Sequence, residues 1–132
     1  MSYAREMIDA MPMPAFDAGH LAAAIDAALV CAQACSACAT GCLTEDDPVV
    51  SCAHSDLNCA DICFTTVRVL SRATAADAEV VRTQLAACVA ACVACASECE
   101  RHADRHEHCR LCAEACNRCA DACRDLLEAV GV

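Results

Sequence analysis

The sequence predicts an all-α protein, an antiparallel up-down-up-down four-helix bundle with a short leading segment, on three observations. The first is composition. Alanine is abundant, glycine and proline number three each, and Tyr3, Phe16 and Phe64 are the whole aromatic content, a balance that favours helix over sheet. The second is a cysteine template with intervals of four, three and four. "CAQACSACATGC" at 31–42 returns as "CVAACVACASEC" at 88–99 and "CAEACNRCADAC" at 112–123, and residues three and four apart share one helical face. The third is that the breaks between these runs are short, which makes consecutive helices antiparallel neighbours. A chain of 132 residues suits one domain with a real core. It reads as an N-terminal segment over 1–16 and a bundle over 17–132.

Each element has its own signal. Residues 3–11 form a short helix stopped by "MPMP". Asp17 is the expected N-cap of the first long helix, which runs to about Cys42. "TEDDP" then breaks the chain, with Asp47 as cap and Pro48 at the first helical position, and the second helix runs to about Ser71. Thr74 caps the third, with Asp77 three residues on in a capping-box arrangement, and that helix reaches about His102. "ADRH" makes the last turn. The fourth helix runs from about His106 to Val130 and ends at Gly131. The second helix carries the template in degenerate form, "CAHSDLNCADIC" at 52–63, with Asp56 where a cysteine would stand. With Cys109 one turn before Cys112, these runs account for all 16 cysteines.

The stripe of cysteines continues into an ordinary core. Leu21, Ala24, Ile25 and Ala28 lead into Cys31, Cys35, Cys38 and Cys42. Cys52, Cys59 and Cys63 lead to Thr66, Val67 and Leu70. Val81 and Leu85 precede Cys88, Cys92, Cys95 and Cys99, while Leu126, Leu127 and Val130 follow Cys112, Cys116, Cys119 and Cys123. The cysteines occupy the C-terminal halves of helices one and three and the N-terminal halves of two and four. Antiparallel packing brings those halves to one end, so sulfur lines the core there for roughly 12 residues, about 18 Å, and an apolar plug fills the other. His54, His102, His106 and His108 fall beside the connections at the sulfur end; His20 sits at the plug end and reads as surface.

Charge narrows the function. A formal net charge of −10, with nine basic residues that are all Arg and scattered, excludes nucleic acid as a partner. No secretory pattern and no 18-residue apolar span is read, so no membrane role is expected and the address is cytoplasmic. Cysteine-rich scaffolds held by disulfides belong to oxidising compartments, so metal is the better reason for the cysteines. Four zinc–tetrathiolate sites would leave about −8 in a buried core without compensating cations. Iron–sulfur runs lie on loops and end in Cys-Pro, which this chain lacks.

Cu(I) fits better. Thiolates are its preferred soft ligands, and two sulfurs bridged by one ion lie about 4–5 Å apart for bonds near 2.3 Å, within reach of stripe neighbours whose Cβ atoms are about 5–6 Å apart. An empty core can hold neutral thiols, and each Cu⁺ that enters can displace one proton. At one metal per thiolate the core stays neutral at any filling. Asp56, on the phase of the stripe, would add one anion and admit one more cation, or accept protons.

The repeated Cys-x₃-Cys-x₂-Cys-x₃-Cys on four helices, with "RHADRHEHC" at 101–109, resembles the bacterial cytosolic copper storage proteins over roughly residues 18–130. The resemblance implies multiple Cu(I) ions held by the core cysteines, histidines at the open end, and a homotetramer. His102, His106 and His108 are accordingly the expected mouth residues, beside the 16 cysteines and Asp56 as metal ligands. A copper chaperone or a small thiol is the expected partner for loading and unloading. No catalytic role is indicated, because buried thiols lack the electropositive, exposed setting of a nucleophile. Zinc or cadmium sequestration, a thiol-based redox scavenger and a partner-binding helical module stand as alternatives. Asp61 and Glu98, off the stripe's phase, should face water. Met7, Met11 and Met13 read as apolar capping rather than thioether ligands, and Phe64, Val89 and Val93 as a subunit contact.

Overall fold

The computed structural model describes residues 2–12 and 15–130, and Met13 and Gly131, expected as a capping residue and a helix terminator, lie outside them. α1 (Tyr3–Ala10) starts where the Ser2 hydroxyl accepts a hydrogen bond from the Arg5 amide, and Ile8 is its one buried residue. α2 (Ala18–Thr44) begins, as expected, at Asp17, whose carboxylate accepts from the His20 amide. α3 covers Val50–Ser71. A 3₁₀ turn over Ala75–Asp77, with the capping box between Thr74 and Asp77 in place, leads into α4 (Ala78–Glu100). α5 (Glu107–Val130) closes the chain, one residue later than expected, because the His106 carbonyl already accepts from the Cys109 and Arg110 amides as the cap.

One start differs by more. Asp47 and Pro48 do not open α3; Val49 occupies the cap position and offers no side-chain oxygen. The reason lies in the reversal of the chain. The Val49 amide donates back to the Cys42 carbonyl at 3.0 Å, so the link is used to tie α3 to the end of α2 before helical bonds begin.

Each of α2, α3, α4 and α5 packs against two of the others, closing a four-membered ring, and α1 lies on α2. Antiparallel pairing is visible in the core: Cys52 near the start of α3 meets Cys99 near the end of α4 at 3.4 Å, and Cys42 near the end of α2 meets Cys109 at the start of α5 at 3.8 Å. Small residues make this approach feasible. Ala32, Ala39, Ala53, Ala60, Ala96, Ala113 and Ala120 each follow a cysteine, and all are buried. They sit at the seams between helices, where a larger side chain would hold the sulfur stripes apart.

Two helices depart from the hydropathy expectation. Ala18–Thr44 and the run Ala75–Glu100 are long and apolar enough, by length and composition alone, to cross a membrane, and half and a third of their most apolar windows are buried within the bundle. The apolar score comes from the same cysteines and alanines that line the core.

The plug end is conventional. Leu70, Val81, Leu85 and Leu126 are fully buried with Ala24 and Ala28, and Ile8 of α1 is all but buried beside Leu21 and Ile25. Thr66 is the one buried hydroxyl among the described residues; it donates to the Ile62 carbonyl at 2.8 Å and accepts from Gln84 at 2.9 Å. Met7 and Met11 remain exposed and edge a shallow apolar groove against Ile25, Leu29 and Val67. Leu85→Ala should therefore cost about 2–5 kcal/mol through the cavity it leaves, read as a lower urea midpoint of the reduced, metal-free protein, with the sulfur end untouched.

Candidate metal centre

All 16 cysteines are buried and none is in a disulfide. The helical period puts their Sγ atoms in one column, and the alanine seams bring facing columns into contact. Same-helix neighbours lie 3.9 Å apart at Cys31–Cys35 and Cys38–Cys42, 3.8 Å at Cys59–Cys63 and 4.0 Å at Cys95–Cys99. Contacts between helices are as close. Cys31 reaches Cys59, Cys92 and Cys116 at 3.8, 3.9 and 3.6 Å, and Cys63 reaches Cys88 and Cys92 at 3.8 and 3.7 Å.

From the mouth downward the donors fall into quartets whose ligand atoms all lie within 4.8 Å of one another. Cys38, Cys42, Cys52 and Cys109 form the outermost. Below it come Cys35, Cys95, Cys112 and Cys116; then Cys31, Cys35, Cys59 and Cys116; then Cys31, Cys59, Cys63 and Cys92; then Cys63, Cys88, Cys92 and Cys119. Cys123 interacts with Cys119 and Cys88 at the base. Such spacings suit thiolate coordination of two, three or four sulfurs. The decisive feature is overlap. Cys31, Cys35, Cys59, Cys63, Cys92 and Cys116 each belong to at least two quartets, so neighbouring metal ions in this column would hold sulfurs in common. Shared sulfurs bridge metals, so the column is suited to a multinuclear thiolate assembly.

Asp56 takes the place that its phase in the template predicts. It is fully buried, and its Oδ1 accepts from the thiols of Cys95, Cys112 and Cys99 at 3.1, 3.3 and 3.4 Å. Desolvation above all, with smaller contributions from the neighbouring Cys112 and Cys95, pushes its pKa up to about 12. The carboxyl is thus neutral in the empty bundle. Burial likewise pushes the Cys42 and Cys109 thiols up.

The four histidines beside the connections at the sulfur end separate. His108 turns inward: Nδ1 lies 3.4 Å from Cys38 Sγ and 3.6 Å from Cys109 Sγ, and Nε2 lies 2.8 Å from Glu45. Desolvation pulls its pKa down, but the hydrogen bonds to Cys38 and Glu45 outweigh it and the pKa is raised; the same hydrogen bond lowers Glu45. His106 stacks on His108 with ring centroids 5.3 Å apart and meets Glu45 at 3.2 Å. His102 is set differently. Arg105 donates to its Nδ1 at 3.2 Å, which occupies that lone pair, and its buried Nε2 has no hydrogen-bond partner among the described residues, with Glu98 at 3.8 Å. His54 is exposed beside Asn58, away from the sulfurs. Asp61 faces water as expected, but Glu98 does not: its side chain is 13% exposed, because α4 ends against the turn that carries Arg101 and His102. Glu45 is the mouth residue that the sequence reading passed over; its one signal is that it ends the first template's helix, three residues after Cys42.

Residues 17–128 match the family model described as copper storage protein. No curated protein sequence matches the chain. Solved structures do. A copper storage protein from Streptomyces lividans loaded with 10 copper equivalents is 45% identical, with a TM-score of 0.91, 96% of this chain and 98% of that one covered. A second structure, of copper loading to a cytosolic copper storage protein from Streptomyces lividans with five coppers, is 50% identical with a TM-score of 0.83, covering 86% and 96%. The Cu(I)-bound copper storage protein BsCsp3, whose metal-free form is named as from Bacillus subtilis, is 36% identical with a TM-score of 0.71, covering 82% and 98%. A column of shared thiols in a four-helix bundle, a match over nearly the whole bundle and likeness at this identity lead to one assignment: the chain belongs to the copper storage protein family.

Proposed function

We propose that this chain stores multiple Cu(I) ions on the thiolates of its core, and that the overlapping quartets are the observation that carries the reading. Every cysteine from Cys31 to Cys123 is a ligand. Asp56 joins Cys95, Cys99 and Cys112 as an oxygen donor or proton acceptor. His108 is the ligand at the mouth, with His106 beside it and His102 a secondary contact held by Arg105. The loaded relatives support the metal and the multiplicity.

Charge explains why the store fills. Each Cu⁺ replaces one thiol proton, so no charge accumulates in the low-dielectric column, whereas Zn(II) on four thiolates leaves two negative charges per site. The role is storage rather than catalysis. The chain works in the cytoplasm, where thiols stay reduced, and exchanges copper with a chaperone or a small thiol. It assembles as a homotetramer, for which exposed Phe64 and Val93 on α3 and α4 supply apolar contact area.

The storage reading predicts that anaerobic Cu(I) titration of the reduced protein, against a coloured Cu(I) chelator, gives uptake near one ion per cysteine before the chelator colours. Saturation at one or two ions, or stronger uptake in a parallel Zn(II) titration, would end it. Proton release in weak buffer should run at about one H⁺ per Cu⁺; two per ion would mean that charge builds up in the core. Asp56 gives the empty protein a signed pH dependence. Its folded pKa is raised from 3.8, so this contribution is fully present below about pH 4 and is lost as pH rises towards the folded value, at about 1.4 kcal/mol per unit. Asp56→Asn should gain about 3 kcal/mol on the parent between pH 5 and pH 7, measured by urea denaturation of the reduced protein. Parallel pH profiles would show that Asp56 is ionised inside the empty bundle.

A further inference from the structure

Gly41 stands in the interior of α2, where glycine costs about 1 kcal/mol relative to alanine, and its helical backbone needs no glycine. What it supplies is space. A Cβ at this position would lie 3.0 Å from Cγ, Nδ1 and Cδ2 of His108. Only a point over the ring face is equidistant from Cγ and both its ring neighbours, so the imidazole lies face-on against the backbone of α2 at Gly41.

One turn further on, at the cap position that follows α2, the Glu45 carboxylate holds Nε2 at 2.8 Å. An ionised carboxylate only accepts, so Nε2 carries the proton and Nδ1 of the neutral ring presents its lone pair to a metal. That nitrogen faces Cys38 and Cys109. Glu45 also holds His106, which stacks on His108. The ring therefore has a floor from α2 and a tether from the residue that caps it, while it is itself carried by α5.

We propose that Gly41 and Glu45 are positioning residues for copper entry: Gly41 leaves the space in which the His108 ring lies, and Glu45 fixes its tautomer, so that Nδ1 is presented to the Cys38, Cys42, Cys52 and Cys109 quartet. The proposal rests on the storage reading with His108 at the mouth. A Cu⁺ bound at Nδ1 forms a bond to Cys38 Sγ as the thiol proton leaves to solvent. The Cu–N bond then breaks as a lone pair on a second sulfur, Cys42 or Cys109, takes its place; that thiol keeps its proton until a further Cu⁺ displaces it, so one proton leaves per ion. No electron changes hands, and the ring is restored for the next ion. Oriented ring tautomers held by an outer carboxylate are a general device at metal sites, and removing such partners costs about 10–100-fold.

Anaerobic stopped-flow transfer of Cu(I) from its complex with a coloured chelator tests this, reading the initial rate and the final capacity from one trace. Gly41→Ala and Glu45→Ala should load about 10-fold more slowly than the parent and reach the same capacity. Glu45→Gln, which keeps an oxygen acceptor for Nε2–H, should recover most of the rate. In a His108→Ala background neither alanine substitution should slow loading further, since the ring they position is gone. Imidazole ¹⁵N shifts, taken where the ring is neutral, should show the Nε2–H tautomer at His108 in the parent and a mixture in Glu45→Ala. Gly41→Ala raises helix propensity, and unchanged thermal melting of the reduced protein separates slow loading from loss of fold. Parent-like loading by Gly41→Ala, or equal slowing with and without the His108 ring, overturns the positioning role alone. A parent chain that takes up only one or two ions overturns the storage reading and this proposal with it.

Discussion

The burial of sixteen ionisable sulfurs in one core is the constraint on which everything else in this protein depends. A low-dielectric interior tolerates them as neutral thiols and opposes them as free thiolates. The empty bundle satisfies this with weak sulfur–sulfur contacts, and the Cys42 and Cys109 thiols are pushed up by desolvation. A monovalent soft cation that replaces a proton one for one satisfies it equally well. The column can hold a charge-neutral content at both extremes of filling and at every stage between.

The same constraint shapes the fold. Cysteine is small, and a core built from it buries less apolar area per residue than one of leucine and valine. The bundle compensates at its other end, where Leu70, Val81, Leu85 and Leu126 are fully enclosed and α1 adds Ile8. Stability is thereby concentrated where no metal chemistry is needed, and the sulfur end is free to repack as ions enter. The alanines that follow the cysteines serve both purposes: they close the helix seams and set the sulfur spacing.

Asp56 is the one point where the neutral thiol column is interrupted. Four thiols donate to it, those of Cys95, Cys99 and Cys112 to one oxygen and that of Cys52 to the other, and it lies one quartet below the mouth. A neutral carboxyl in that position can give up its proton to admit a cation, and it does so beside thiols that can share the charge. At the mouth the three remaining histidines are not equivalent. A guanidinium engages Nδ1 of His102, whereas a carboxylate engages Nε2 of His108 and leaves Nδ1 towards sulfur. Opposite partners give the same residue type opposite readiness to bind metal.

Which residues line the core was determined by the sequence alone, because a period of 3.6 leaves no choice of face: cysteines at intervals of four, three and four must share one stripe, and short connections must bring the four stripes to one end. The inward turn of Asp56 followed from the same phase. Periodicity is blind to what happens at helix ends, and there the tertiary structure decided. The Val49 amide is claimed by the Cys42 carbonyl, so Asp47 and Pro48 stay outside α3. Glu98, off phase by its helix, is covered by the turn that follows it. Which histidine faces sulfur depends on Gly41 and Glu45, which lie 67 and 63 residues away from it in the chain. Neither has a place in the cysteine pattern. Their role arises only where α2 and α5 pack side by side, because the orientation of an imidazole is set by the atoms around it and not by its position in a repeat.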